Sequence, residues 1–112
     1  MDSILNSIKK LIGLAEDQDH FDPDIIIHTN SIFSRLTQLG VGPAGGFFIE
    51  DDLSSWNDFI ADDDPQLQMV KTYVYLRVKL IFDPPNNSSV IKAMQEDIKE
   101  LEWCLNVAAE SI

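Results

Sequence analysis

The sequence of 112 residues predicts an all-α domain, a small bundle of four main helices and one short helix with a glycine-rich protruding loop. In four long segments, apolar residues recur at spacings of three and four, which is typical of amphipathic or buried helices. Aspartate-proline pairs stand where two of these segments begin, and prolines or a glycine stand where two of them end. A chain of this length fits one domain, so we expect residues 1–112 to form a single unit.

The first predicted helix runs from Ser3 to Leu14 and frays near Gly13. Its apolar residues follow helical spacing: Ile4, Leu5, Ile8, Leu11 and Ile12. Lys9 and Lys10 are expected on the opposite, outer face. Because two lysines are few for binding to a membrane surface, the segment is interpreted as a core helix.

The acidic stretch from Glu16 to Asp24 invites comparison with a calcium-binding loop. An EF-hand loop needs an oxygen ligand at its fifth position and a glycine at its sixth, and a loop starting at Asp17 would place Phe21 and Asp22 there. The pattern fails. Asp22 is instead predicted to stand at the start of a helix, where its charge faces the positive end of the helix dipole.

The second helix is predicted from Pro23 to Leu39, with Gly40 supplying the left-handed C-cap. His28 lies in it without a second histidine or cysteine at ligand spacing, so it is interpreted as structural. Asn30 lies near the apolar stripe, where a polar amide often binds the backbone of a loop. We therefore expect Asn30 to hold the glycine-rich turn that follows.

Residues Val41 to Asp52 form the least helical segment, because three glycines and a proline disfavour a helix there. The glycines match neither a dinucleotide-binding nor a phosphate-binding loop, and no lysine stands near them, so nucleotide binding is rejected. Phe47, Phe48 and Ile49 place three large apolar side chains in sequence. Two interpretations remain open: a loop packed over its own core, or a protruding apolar arm that packs on a neighbouring subunit.

A short helix is predicted from Leu53 to Ile60, with Ser54 or Ser55 as its cap. Its surroundings contain seven acids and no base: Glu50, Asp51, Asp52, Asp58, Asp62, Asp63 and Asp64. Carboxylates this close could bind a divalent cation, but a solvated edge is the simpler interpretation.

The central helix is predicted from Pro65 to Phe82, with Asp64 as its N-cap and with Asp83 and Pro84 ending it. Two apolar rows run along it: Leu67, Val70, Val74, Val78 and Ile81 in one, and Met69, Tyr73, Leu76 and Leu80 in the other. Two rows need two partner surfaces, so this helix is expected at the centre of the bundle. It is too short and too charged to span a membrane.

The final helix is predicted from Val90 to Ala109, with Ser88 or Ser89 as its cap. Its apolar residues step by three and four, the spacing of a two-helix seam: Ile91, Met94, Ile98, Leu101, Leu105 and Ala108. Trp103 falls outside this seam. It is expected either to cover residues 47–49 or to contact a partner, and the sequence does not choose between these.

Composition limits the function classes. The formal net charge of −11 keeps a protein soluble and disfavours binding to nucleic acid or to anionic membranes. The single cysteine, Cys104, has no disulfide partner and is interpreted as a small buried or half-buried side chain. The N-terminus lacks the features of a signal peptide.

No nucleophile with a base, no metal-ligand set and no phosphate cradle is recognised, so the sequence indicates a non-enzymatic protein without cofactor or metal.

Four segments together resemble one protein family. They are VKTYVYLRVKLIFDPPNNS from Val70 to Ser88, NSIF from Asn30 to Phe33, the LGVGP turn from Leu39 to Pro43, and ELEWCLN from Glu100 to Asn106. With these segments the chain resembles, over almost its whole length, the head-to-tail connector proteins of tailed bacteriophages, the small adaptors that lie beneath the portal. The features that carry the resemblance are packing and turn signatures.

The resemblance implies a structural virion protein. It implies a homo-oligomeric ring of about 12 subunits under the portal, which extends the DNA channel and helps to complete the head after DNA packaging. The implied partners are the portal protein and a stopper or tail-completion protein, with DNA passing through the channel without specific binding and with no membrane contact. The implied location is the neck of the virion, and the host cytoplasm during assembly.

Candidate interface residues follow from the apolar segments and from the resemblance. We assign a heterologous subunit interface to Val41, Phe47, Phe48, Ile49, Trp56, Phe59 and Trp103. The resemblance assigns the portal contact to Asn106, Val107, Glu110 and Ile112. Replacing both Phe47 and Phe48 by serine is expected to abolish ring assembly and to spare the subunit fold. The competing hypothesis is an acidic helical regulator or adaptor that binds one protein through the same apolar segment. A third interpretation is a small hydrolase that uses a pair of the abundant carboxylates, and its activity would be lost when one or two of them are replaced.

Overall fold

The structure, a computed structural model, describes residues 3–110 and consists of helices and their connections. The helices are α1 Ile4–Leu11, α2 Asp22–Gln38, α3 Trp56–Phe59, α4 Leu67–Phe82 and α5 Ser88–Glu110. Within residues 3–110 there is no strand, and one isolated backbone bridge joins Ser3 to Ser55. These observations confirm the predicted all-α class with four main helices and one short one. None of the helices in this range combines the length and the hydropathy that a membrane span requires.

Helix α4 lies at the centre of the bundle, because it packs against α1, α2 and α5. Three valines of its first apolar row, Val70, Val74 and Val78, are fully buried. Tyr73, in the second row, is also fully buried, whereas other members of that row are half-buried. The prediction of two partner surfaces is confirmed, except that Ile81 at the end of the first row is 45% exposed.

Helices α4 and α5 begin at residues other than those predicted. Helix α4 begins at Leu67, two residues after Pro65, because Asp64 first closes a tight turn. The carbonyl of Asp64 accepts a hydrogen bond from the Leu67 amide, and its carboxylate accepts one from Gln66. Helix α5 begins at Ser88, and its cap is Asn87 instead of a serine, since the Asn87 side chain accepts from the amides of residues 89 and 90.

Helix α1 is shorter than predicted and contains a buried lysine. It ends at Leu11, and Gly13 follows with a φ of +88°, a left-handed conformation. Lys9, predicted on the outer face, is fully buried. Its ammonium lies 3.0 Å from the Asp22 carboxylate and donates to the Glu16 carbonyl at 2.9 Å. The burial is possible because these two partners replace water around the charge.

Helix α2 begins at Asp22 with a proline in its first turn, and acids in that turn face the helix N-terminus, as predicted. Its end is closed by a Schellman motif. The amide of Gly40, at φ +87°, donates to the Thr37 carbonyl, and the amide of Val41 donates to the Leu36 carbonyl at 2.9 Å. The predicted C-cap role of Gly40 is confirmed, and the chain leaves α2 in a fixed direction.

Candidate functional site

The connection from α2 to α3 begins with a glycine that no other residue could replace without strain. Gly42 has a φ of +84°, and a Cβ atom at this position would overlap the ring of Phe59. The backbone at Gly42 therefore lies directly against the ring of the buried Phe59. The glycine-rich segment therefore starts against the core of its own subunit.

Asn30 of α2 fixes the same segment farther along. Its side-chain oxygen accepts a hydrogen bond from the amide of Ile49 at 2.7 Å, and its side-chain nitrogen donates to the carbonyl of Ile49 at 2.9 Å. Both polar groups of one loop residue are thus paired with one side chain. The prediction that Asn30 holds the backbone of the glycine-rich segment is confirmed.

The three apolar residues of this segment alternate between the core and solvent. Phe47 is half-buried, and its ring centroid lies 5.0 Å from that of Phe33 and 5.1 Å from that of Phe59. Ile49 is buried, and Phe48 between them is 64% exposed. The interpretation of a loop packed over its own core holds for Phe47 and Ile49, and the side chain that protrudes is Phe48.

Helix α3 is a single turn whose two aromatic side chains are buried in the core. It covers Trp56–Phe59, less than predicted, and Ser55 is its cap in a capping box with Asp58. Both aromatic residues at its ends are 3% exposed. The Trp56 indole donates to the Ser7 hydroxyl at 3.0 Å, which ties the turn to α1.

Tyr73 connects three helices through its hydroxyl. That hydroxyl donates to the Glu102 carboxylate of α5 at 2.6 Å and accepts from the Arg77 guanidinium at 3.0 Å. Arg35 of α2 approaches the same carboxylate with two longer hydrogen bonds, of 3.4 and 3.5 Å. A tyrosine hydroxyl, one carboxylate and two guanidinium groups therefore link α2, α4 and α5.

The charges of this network are set by their neighbours. Burial and the hydrogen bond to Glu102 raise the pKa of Tyr73. Burial alone would raise the pKa of Glu102, but hydrogen bonds from Tyr73 and Arg35 outweigh it and hold that pKa below its usual value. The hydrogen bond to Glu102 in turn raises the pKa of Arg35. At neutral pH the tyrosine is therefore neutral, and the carboxylate and the guanidinium are charged.

This network is absent from the sequence-based predictions, in which Tyr73 is only a member of an apolar row. One signal was available, because a buried tyrosine needs a partner for its hydroxyl and Arg77 follows it by one helical turn. The partners on other helices have no such signal. Arg35 and Glu102 are 67 residues apart in sequence, and only the packing of α2 and α5 on α4 brings them together.

An open groove of about 790 Å³ lies between α2 and α5 and includes one residue of α4. It is lined by Ser31, Ser34, Arg35, Gln38, Arg77, Gln95, Ile98, Lys99 and Glu102. Both arginines of the chain are among these residues, together with one lysine and a single acid. The groove is therefore a basic surface on a strongly acidic protein.

The acids between Glu50 and Asp64 lie at the surface, and all except the half-buried Asp64 are exposed. Among residues 3–110 no group of three or more histidine, cysteine, aspartate or glutamate side chains is placed to hold a metal ion. His28 packs edge-on against Phe82, and Cys104 is half-buried. The exposure of six of the seven acids agrees with the predicted solvated edge.

A comparison with protein-family models matches residues 4–111 of the chain to the family described as phage connector protein. The chain belongs to this family. It is therefore a connector-type structural protein of a bacteriophage and a virion component. No curated protein and no solved structure matches the chain significantly.

In this connector, the seven residues assigned to a subunit interface do not share one surface. Four of them are buried in their own subunit: Val41, Ile49, Trp56 and Phe59. They are occupied by internal contacts because the segment after α2 packs on the core. Phe47 is half-buried for the same reason, whereas Phe48 and Trp103 are 64% and 68% exposed. Trp103 therefore does not cover residues 47–49, and both of these aromatic side chains are exposed to solvent.

Three of the four residues of the connector assigned to the portal contact, Asn106, Val107 and Glu110, lie at the end of α5. The Asn106 side chain donates to the carbonyl of Leu39 at 3.1 Å and so joins the last turns of α5 to the end of α2. Val107 is 39% exposed and Glu110 is exposed. Ile112 lies outside the described residues. Asn106 thus has a structural partner within the subunit, and the outward side of this helix end is formed by Val107 and Glu110.

Proposed function

We propose that this connector forms a closed homo-oligomeric ring of about 12 subunits beneath the portal. In this position it would extend the DNA channel and help to complete the head after DNA packaging. The observation that supports the proposal is the match of nearly the whole chain, residues 4–111, to the phage connector family. The acidic regulator considered from the sequence has no comparable support.

Ring closure requires two different surfaces on each subunit. The first surface of one subunit packs on the second surface of its neighbour. Phe48 lies in the segment between α2 and α3, and Trp103 lies on α5. Both expose more than half of their side chains, and aromatic side chains are enriched in the cores of protein interfaces. We therefore assign Phe48 to one surface of the subunit interface and Trp103 to the other.

The charge of the subunit fits a channel through which DNA slides. A net charge of −11 per subunit would give the ring a negative lumen, which repels phosphate groups. Without attraction to the backbone, DNA would pass without specific binding. The same negative charge would allow the ring to surround DNA without binding it.

The end of α5 is assigned to the portal contact, and the opposite rim of the ring to a stopper or tail-completion protein. Val107 and Glu110 present the exposed side of this end, and Ile112 follows them in sequence. Asn106 would act indirectly, because its hydrogen bond to Leu39 fixes the angle of the helix end. The assembly would take place in the host cytoplasm before the neck of the virion is complete.

Native mass spectrometry tests this function. The mass of the purified protein is measured as its concentration is raised, with and without purified portal rings. A closed ring of about a dozen copies, alone or on the portal, is the expected result. A subunit that stays monomeric or dimeric in both conditions would refute the ring and favour a regulator that binds a single partner.

A further inference from the structure

A subunit with this charge needs a positive surface in order to assemble with copies of itself, because like charges oppose association. The chain has eight lysines and arginines against nineteen acids. Lys9 is buried in its contact with Asp22, and Lys79 is paired with Asp83. Both arginines and Lys99 line the groove between α2 and α5. The groove therefore offers an acidic partner three cations, of which Arg35 is also paired with Glu102.

Part of the positive charge in the groove has no partner within the subunit. Glu102 is its single acid, and this carboxylate already accepts hydrogen bonds from Tyr73 and Arg35. The Lys99 side chain is exposed, and its ammonium has no hydrogen bond or ion pair with the residues from 3 to 110. Trp103 follows Lys99 by one helical turn and so stands on the same face of α5. The groove thus combines an unpaired cation with an exposed aromatic side chain at its side.

A complementary surface lies beside the groove, on the adjacent side of α2. Phe33 contacts the loop that carries Phe47, and Arg35 lines the groove; at about 100° per residue their side chains point about 160° apart. Asn30, which holds Ile49 of the loop, lies between them around the helix, so the loop and the groove lie on adjacent sides of α2. The loop then presents Glu50, Asp51 and Asp52, all exposed. These acids have exposed apolar neighbours, Phe48 before them and Leu53, 82% exposed, after them.

We propose that the groove between α2 and α5 binds the acidic edge of residues 48–53 from a second copy of this chain. The three cations would pair with the acids of that edge, and Trp103 would contact its apolar side chains. Because the two surfaces are different and face different directions around α2, pairing one with the other joins copies head to tail. This inference rests on the proposed ring and names the surfaces that would close it.

Charge reversal on each surface tests the pairing. The groove variant carries Ser34→Glu and Lys99→Glu, and the edge variant carries Glu50→Lys and Asp52→Lys. None of these four side chains has an internal hydrogen bond within residues 3–110, so each variant should fold as the wild type does by circular dichroism. Each variant is expected to need about tenfold more protein for half-assembly, or about 1.4 kcal/mol of lost interaction.

Matched controls and a combined variant make the test specific. Controls with the same changes of charge elsewhere, Ser89→Glu with Lys92→Glu and Asp17→Lys with Asp19→Lys, should assemble as the wild type does. A protein with all four substitutions should recover assembly, because the two surfaces are again opposite in sign.

The outcomes separate this inference from the proposed function. If the wild type forms rings and the groove variant forms them equally well, the groove is not the interface although the ring stands. If the combined variant stays as weak as the single-surface variants, the two surfaces do not meet each other. If the wild type assembles neither alone nor on portal rings, the proposed function fails, and the groove assignment fails with it.

Discussion

The side-chain amide of Asn30 pairs with both backbone groups of Ile49, at 2.7 and 2.9 Å. Ile49 is 1% exposed, so water cannot replace these bonds if the side chain is removed. Replacing Asn30 by alanine should therefore lower the free energy of unfolding by about 1 to 3 kcal/mol, because a buried amide and a buried carbonyl lose their partners. Urea denaturation measures this difference.

The matched control for this prediction is Asn86→Ala, at an exposed position in the turn before α5. It should change the free energy of unfolding by less than about 0.5 kcal/mol. Hydrogen exchange adds a local measurement, since the Ile49 amide should exchange faster in the Asn30 variant than in the wild type. Unchanged exchange at this amide would contradict the role given to Asn30.

Phe47 and Phe48 are adjacent in sequence and should respond differently to serine. Phe47 packs against Phe33 and Phe59, so Phe47→Ser should destabilise the subunit by about 2 to 3 kcal/mol. Phe48 is 64% exposed, and Phe48→Ser should leave stability within about 0.5 kcal/mol and weaken assembly. Thermal unfolding and native mass spectrometry measure the two effects.

This result would replace the expectation from the sequence that the double serine variant spares the subunit fold. Each single variant serves as the control for the other, because both remove the same aromatic group. If Phe48→Ser destabilised the subunit as much as Phe47→Ser, the alternation of this segment between core and solvent would be wrong.

Lys9 is expected to be among the most sensitive charged residues of the chain. Replacing it by alanine leaves the Asp22 carboxylate and the Glu16 carbonyl without their cation, and should cost about 2 to 4 kcal/mol. Adding Asp22→Asn should recover part of this loss, since the unpaired charge is then removed. Denaturant unfolding of the two variants measures the recovery.

The control is Lys10→Ala, because Lys10 is one residue away and exposed. This variant should change the free energy of unfolding little, and equal losses at both lysines would exclude the buried contact.

Glu102 should make the stability of the subunit depend on pH in acid. Its pKa is lower in the folded state, chiefly because Tyr73 and Arg35 hydrogen-bond the charged form against the opposing effect of burial. The stabilisation is therefore present above the usual glutamate pKa of about 4.3 and is lost as the pH falls through the lower, folded value. Wild type should exceed Glu102→Gln in stability at pH 7, and the difference should shrink in acid.

Denaturation curves at a series of pH values from 7 downwards test this sign. Glu96→Gln is the control, because Glu96 is exposed on the same helix. It should run parallel to the wild type over the whole range. A difference between wild type and Glu102→Gln that grows as the pH falls would contradict the direction given for the pKa.

The helices were predictable because their signals are local. Apolar spacing, Asp22 before Pro23 and Gly40 after the second helix each act within one or two turns of the residues that they organise. Asn30 was predictable for a related reason, since a polar amide beside an apolar stripe must find a partner and a glycine-rich loop is nearby. The shifted helix starts at Leu67 and Ser88 show the limit, because competing caps lie within three residues of each other.

The candidate surfaces depend on packing between distant segments, which the sequence does not encode locally. The sequence of residues 47–49 does not indicate which of their side chains points inward. Their orientation is set by Asn30, which fixes the backbone of Ile49. Lys9 is buried because Asp22 comes to it from another helix. The basic groove exists because Arg35 and Lys99, far apart in sequence, face each other across α4.

The way in which α1 is held has a consequence for the order of folding. With eight residues, α1 is too short to be stable as an isolated helix, and its contacts are with α2, α4 and the Trp56 turn. Helices α4 and α5, in contrast, are neighbours in sequence and pack on each other. During synthesis α1 leaves the ribosome before the residues on which it packs and must therefore wait for them, so α1 is expected to dock last.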